Sequence, residues 1–535
     1  MTDSIDQLGR TLKPRPPNRW LRPIVRWLVA GLLLSLVPLL CRLGWFWYLS
    51  EPRRQIEIGR ATTYLDGPLT PDGYVDYVAA VNSQLSEGVT PENNAVVSLA
   101  LATGPGKTSD KFEREFFERL GVPAPPSNGK YFVTLSDFMQ QQSADGKRDW
   151  AGEQRLEEQR KTASRRPWTR NEFPDLAALL DLNAEPLALY AEASQRERYY
   201  SPLIAGHELA RMITVILPIE EQQVYGARQL AARAMLKLEE ENLLAAWEDQ
   251  QVIRRQSRLT GQSPFFMGLL VAIGIDEYAF TGGQAVIDSP QLTAKQARTC
   301  LRDLQSLRPW RTTAETLDKF ERLTSLDMLI GIARSPGGEP GFGPPEKRLP
   351  IVNGAINWNV PLRMMNAEYD AMAEALRLPD EEAQHAFFVE QHARLQPQAT
   401  SSLTLLMKSS IGQREAASRS MGELLVSTIL PSVLGARNTE FRGLARDRVL
   451  QVGFALAAYR REHGTLPESL AILVPDLLPE MPLDPWTGQP LTYVRTGDGV
   501  LVYSIDLDRR DDGGLPEDPD AGRPQGDIVI HVAAE

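Results

Sequence analysis

Eight acidic side chains gather near the C-terminus: Asp506, Asp508, Asp511, Asp512, Glu517, Asp518, Asp520 and Asp527, interrupted by Gly513, Gly514, Pro516 and Pro519. Hard oxygen ligands in a glycine-bearing loop suit calcium, which accepts six to eight oxygens in irregular geometry. The spacing is not that of an EF-hand, because Arg510 and Asp511 occupy the places of an oxygen ligand and the turn glycine. Leu501-Val502-Tyr503 and Ile528-Val529-Ile530 flank the loop and predict strands. Two readings stand at this level: a calcium loop, or a solvated acidic turn.

Other chemistry is less well supported. Gly104-Pro105-Gly106-Lys107-Thr108 ends like a phosphate-binding loop but has Leu101 where that motif needs its first glycine, so a helix C-terminal turn is expected. His207-Glu208-Leu209-Ala210-Arg211 puts an arginine where a zincin has its second histidine. His385 and His392 are two helical turns apart, too far to share one metal readily. No Gly-x-Ser-x-Gly elbow and no paired glycine-rich dinucleotide motif occurs. A formal net charge of −11 excludes a general nucleic-acid binder, which needs a basic footprint.

What must position the loop is largely helical. Helix-start signals recur at Thr70-Pro71-Asp72, Thr90-Pro91-Glu92, Ser201-Pro202, Ser263-Pro264 and a Thr293/Gln296 capping box. Tyr74, Tyr77, Val78, Val81 and Leu85, and later Ala227, Leu230, Ala231, Ala234 and Leu238, repeat at helical spacing, while strand-like alternation waits until about residue 490. Phe265 to Ile275 is apolar but too short to cross a bilayer, and predicts a buried helix. The fold class expected is mainly α, in helical hairpins or an irregular array, with an N-terminal transmembrane helix and a small C-terminal α+β domain.

Trp27 to Leu49 is apolar except for Ser35 and Arg42, and as a helix would span about 34 Å, enough for one crossing. Arg10, Lys13, Arg15, Arg19, Arg22 and Arg26 precede it against Asp3 and Asp6, which holds this end in the cytoplasm and puts the bulk of the chain outside the inner membrane. An uncleaved anchor is expected, because Leu39-Leu40 before Cys41 lacks the small residues that cleavage or lipidation requires. The implied organisation is a basic tail at 1–26, the span at 27–49, and a helical body at 50–334. A Gly/Pro linker follows at 335–352, then a helical segment at 353–440 and the terminal domain at 441–535. Cys41 and Cys300 are the two cysteines, which excludes a disulfide scaffold.

The helix through Leu450-Gln451-Val452-Gly453-Phe454-Ala455-Leu456, then His463-Gly464-Thr465-Leu466-Pro467, Leu483-Asp484-Pro485-Trp486-Thr487-Gly488 and Asp527-Ile528, resembles the soluble head of type II secretion major pseudopilins. The resemblance implies a calcium loop in which Ser504, Asp508 and Asp527 take the family's places, with the Ile505 carbonyl and Asp518 as further ligands and Asp512 beside them. Asp506 and Arg509 stand where that family has its first and next glycines. The chain lacks the prepilin-peptidase site directly before the head, so assembly into a pseudopilus is not implied. Asp72-Gly73-Tyr74-Val75-Asp76-Tyr77, Val89-Thr90-Pro91-Glu92-Asn93-Asn94-Ala95 and Leu292-Thr293-Ala294-Lys295-Gln296-Ala297-Arg298 make the whole chain similar to uncharacterised single-anchor membrane proteins of planctomycete bacteria. The function expected is binding or scaffolding in the cell envelope, with the lipid bilayer and envelope proteins as partners and no catalysis. An envelope hydrolase with a site in the helical body, around His207 and Glu208, and an accessory of a secretion or pilus-like machine are the alternatives.

Overall fold

The computed structural model describes residues 56–105, 110–143, 146–205, 211–215, 219–334, 356–395, 414–516 and 526–534. The expected membrane span at 27–49 and the whole linker at 335–352 lie outside them. Among the described residues no helix is long and apolar enough to cross a membrane.

The architecture is mainly helical. Seven short helices come first: α1 (Tyr77–Ser86), α2 (Ala95–Thr103), α3 (Asp110–Leu120), α4 (Leu135–Gln142), α5 (Trp150–Ala163), α6 (Pro174–Leu182) and α7 (Ala184–Ala193). Longer ones follow: α8 (Glu220–Glu239), α9 (Leu243–Thr260), α10 (Phe266–Asp288) and α11 (Ala294–Gln305). Next comes α12, which runs Thr313–Thr316, through a π segment Leu317–Glu321, into Arg322–Arg334. After α13 (Asn359–Ala375) and α14 (Glu381–Leu395) comes the 50-residue α15 (Arg414–His463).

Local chemistry accounts for many of these boundaries. Thr293 and Gln296 form a reciprocal capping box on α11, and Asn94 caps α2 by accepting from the Val96 N–H. Gly104 closes α2 at φ 82°, its N–H donating to the Ala100 carbonyl, which is the expected helix C-terminal turn. Gly464 ends α15 at φ 75°, donating to the Arg460 carbonyl at 2.8 Å.

Three expected helix starts are corrected: at Thr90-Pro91-Glu92 the chain makes a turn, and α2 opens only at Ala95 under Asn94. At Thr70-Pro71-Asp72 the chain makes a turn, with Gly73 at φ 85° and Leu69 bridging Val75, and α1 opens only at Tyr77 under an Asp76 cap. At Ser201-Pro202 no helix forms, because two buried asparagines claim the backbone. Asn94 exchanges hydrogen bonds with Tyr200 (2.9 Å each way), and Asn82 does so with Leu203 (2.9 and 2.8 Å).

A three-stranded antiparallel sheet ends the chain, in the order β1 (Thr492–Arg495), β2 (Gly499–Ser504), β3 (Ile528–Ala533). Ser504 pairs with Ile528, so the acidic loop joins the adjacent ends of β2 and β3. Ile528, Ile530 and Val532 alternate inward against α15.

The sheet does not stand apart from the body. Leu243, Trp247, Val286, Ile287, Cys300 and Leu301 share one hydrophobic cluster with Val449, Phe454, Val500, Val502 and Ile530. Two glycines permit the approach. A Cβ on Gly283 would meet Leu450 at 2.7 Å, and one on Gly453 would meet Ile287 and Ile530 at 2.9 Å. Residue 441, the expected start of the terminal domain, falls inside the single helix α15. Gly453-Phe454 is therefore buried core, with Phe454 against Trp247 at 5.0 Å between ring centroids.

Candidate functional site

The acidic loop divides its aspartates into three settings. Asp484 and Asp506 are structural. Asp484, 4% exposed, accepts from the Trp486 N–H (2.7 Å) and the Ile505 N–H (2.9 Å), tying the Asp-Pro-Trp turn to the end of β2. Trp486 in turn stacks edge-on against Phe441 of α15. Asp506 is buried and paired with Arg442 of α15 at 3.1 Å.

Asp508 is exposed and caps its own turn, accepting from the Arg510 N–H at 3.1 Å, with Arg509 at φ 57°. A left-handed arginine there replaces the glycine that such a turn favours.

The third setting brings Asp511, Asp512 and Asp527 under one another's influence. Asp527 is 2% exposed, and its Oδ2 accepts from the Gly514 N–H at 2.8 Å. Its Oδ1 is buried without a hydrogen-bond partner among the described residues. Burial first, then repulsion from Asp511 and Asp512, pushes its carboxyl up to about 6. Asp511 accepts from the Tyr503 hydroxyl (3.0 Å) and the Gly513 N–H (2.9 Å). Burial and then Asp511 push the Tyr503 hydroxyl up to about 12.

Of the four metal ligands expected, then, Asp512 and Asp527 are neighbours, Asp508 is engaged in its own exposed turn, and Asp518 lies outside the described residues. Among the described residues no three His, Cys, Asp or Glu side chains gather closely enough to hold a metal ion. Residues 517–525 of the loop are outside that set.

A second polar site is one that periodicity missed. Asp249, Gln250, Gln251, Arg254, Gln256, Ser257, Arg258 and Thr260 of α9 are all buried, because α7, α8 and α10 pack around this helix. Asp249 pairs with Arg233 and Lys237, each at 2.7 Å. Arg254 and Arg258 share Asp276 of α10 at 3.3 and 3.2 Å, and Arg258 reaches Asp447 of α15 at 2.6 Å. Burial pulls the Arg254 guanidinium down from its ordinary value, opposed by Asp276 and Asp447. No signal in composition marks it: the Gln, Arg, Ser and Thr that fill the polar positions from Gln250 to Thr260 are residues that usually sit on a solvated face.

The remaining sequence candidates are accounted for briefly. His207 and Glu208 lie outside the described residues, while Arg211 pairs with Asp76 at 2.7 Å. His385 and His392 are exposed on α14. Cys300 is buried, and burial raises its thiol well above the ordinary range, so it is not poised as a nucleophile.

These features define a mainly α protein with a small antiparallel sheet packed on its longest helix. No protein-family model, no curated protein and no solved structure matches the chain.

Proposed function

We propose that this chain is a membrane-anchored binding or scaffold protein of the cell envelope, whose C-terminal head is braced by calcium in the acidic loop, at Asp527 and Asp512 together with ligands from loop residues outside the described set. The observation that carries the calcium part is Asp527: a buried carboxylate with a free Oδ1, facing two further carboxylates. A buried carboxylate that feels two neighbouring negative charges is costly to ionise unless a cation offsets it. Asp518 is the remaining candidate ligand that the pseudopilin resemblance implies; Asp508 belongs to the set only if its turn opens. The basic flank and apolar run before residue 50 support the anchor.

The test is thermal unfolding of the full chain with calcium and with chelator. A cation that binds only the folded form stabilises it by about 2.7 kcal/mol at one hundred times its Kd. The midpoint rises with calcium in the wild type and loses that response in Asp527→Asn. An unchanged midpoint in folded protein would reduce the turn to a solvated one. Protease added to intact spheroplasts tests the topology: digestion of the body from outside supports the anchor, and protection sinks it.

A further inference from the structure

Helix α12 is tied to its surroundings by carboxylates that accept backbone N–H groups. Glu321, the last residue of the π segment, accepts from the Phe266 N–H at 2.6 Å and so caps α10, whose own cap residue Phe265 offers no side-chain acceptor. Asp327, further along the helix, accepts from the Met212 N–H at 2.8 Å and holds the segment 211–215. At the foot of α12, Glu440 of α15 accepts from the Thr313 N–H at 2.8 Å. None of the three makes an ion pair among the described residues.

The nearby cations are spent elsewhere. Arg322, buried next to Glu321, turns to Asp318 and to Asp370 of α13 at 2.8 and 2.7 Å. Arg311 donates to the Gln262 and Ser263 carbonyls ahead of α10, at 2.9 Å each. Tyr369 of α13 also faces Glu321, with its hydroxyl 2.7 Å from Ser325 Oγ. Around Asp327, Arg211 pairs with Asp76 at 2.7 Å and Arg334 with Asp72, while Asp76 and Tyr77 face the carboxylate from the start of α1. Glu440 faces Arg437 of its own helix and Glu315 of α12. Burial therefore dominates. It pushes Glu321 up to about 7, opposed by the Phe266 N–H, and Asp327 up to about 6, opposed by the Met212 N–H and by Arg211 and Arg334. Glu440 is raised for the same reason.

Both tied segments share one hydrophobic cluster with the helix: Met212, Phe265 and Phe266 pack with Leu323 and Leu326. A carboxylate that ionises beside them without a counter-ion is costly, and the cost falls on the contacts it holds. Unfolded, these carboxyls regain values of about 4, so the folded chain keeps protons that the unfolded chain has lost. The stability they contribute is complete below that value and is lost as pH rises through about 6 for Asp327 and about 7 for Glu321.

We propose that α12 is a pH-responsive clasp: with Glu321 and Asp327 protonated it grips the start of α10 and the segment 211–215, and their loss of protons loosens both. The clasp shares no residue with the calcium turn, and it gives the helical body a regulatory element of its own.

Hydrogen–deuterium exchange of the full chain at pH 5, 6, 7 and 8 tests it, expressed as protection relative to the intrinsic rate at each pH. Protection around Met212 and Phe266 should fall by about tenfold or more across the series, while α5 and α6 keep theirs. Glu321→Gln and Asp327→Asn keep an acceptor but cannot ionise. The first should remove the pH dependence at Phe266 and leave it at Met212, and the second should do the reverse. Asp527 titrates in the head, so a loss confined to these two body segments separates the clasp from it. Wild-type protection that is flat with pH, or that falls equally throughout the chain, overturns the proposal without relying on either variant's folding. So does pH dependence that persists at both segments in the amide variants.

Discussion

Helix α9 and the C-terminal turn both bury charge, but they settle it in opposite ways. Inside the body, Arg254 and Arg258 alternate with Asp276 and Asp447, so each charge faces its opposite across three helices. In the head, Asp527 faces Asp511 and Asp512, and like charge meets like. A buried network whose charges balance needs no added ion and acts as structure. A one-signed cluster is incomplete by itself and points to something from outside, which is why the turn and not the network carries the proposed cation.

The largest effect should come from unbalancing the network. Asp447→Ala removes the 2.6 Å partner of Arg258 and leaves two buried arginines sharing Asp276. Breaking a buried pair by deleting one partner typically costs about 3–5 kcal/mol. Chemical denaturation of the full chain measures it; a loss below about 1 kcal/mol would mean that the network is effectively solvated and that the contrast with the head is false.

Next in size is the seam between the two regions. Gly453→Val drives a side chain into Ile287 of α10 and Ile530 of β3. Overpacking of this kind costs about 1–3 kcal/mol. Because the cluster is shared, head and body should still unfold in one transition at a lower midpoint. A separate early transition of the sheet would show that the head is an independent unit after all.

Much of this arrangement was legible in the sequence, and the illegible parts share a cause. The Thr293/Gln296 box, a buried helix over Phe265 to Ile275, which proves to be the first half of Phe266–Asp288, and the strands after residue 490 follow from local chemistry, so local pattern located them. α9 was not recognisable, because Arg254 and Arg258 look like a solvated face until Asp276 and Asp447, distant in sequence, arrive beside them. The same holds for Ser201-Pro202, which carries a helix-start signal but is held extended by Asn82 and Asn94. The acidic loop was visible as composition. Its division into structural, exposed and mutually repelling aspartates was not, since that depends on which carboxylate the fold turns inward.

That division makes a pH prediction. Asp527 sits at about 6 in the folded protein, above the ordinary carboxylate value of about 3.9 that it regains on unfolding. The folded state therefore holds the extra proton, and its stability falls as pH rises through the interval from about 4 to 6. In chelator, Asp527→Asn should remove that decline and stabilise the chain at pH 7 by less than about 1 kcal/mol, discounted for the water that reaches a surface turn. Melting midpoints between pH 4 and 8 decide it. A variant less stable than wild type at pH 7 would mean that the carboxylate is already compensated and that no cation is needed.

The smallest effect is the sharpest test of which aspartates matter. Asp508 is exposed and bonds only within its own turn, so Asp508→Ala should change stability by no more than about 0.5 kcal/mol and leave the calcium response in place. The resemblance to pseudopilin heads assigns Asp508 the opposite role, as a principal ligand. If Asp508→Ala abolishes the calcium shift, the loop must rearrange on binding so that Asp508 swings toward Asp527, and the turn described here is the cation-free form. If Asp527→Asn alone abolishes it, calcium is held by the buried carboxylate and its neighbours, and the likeness to pseudopilin heads does not extend to how the metal is bound.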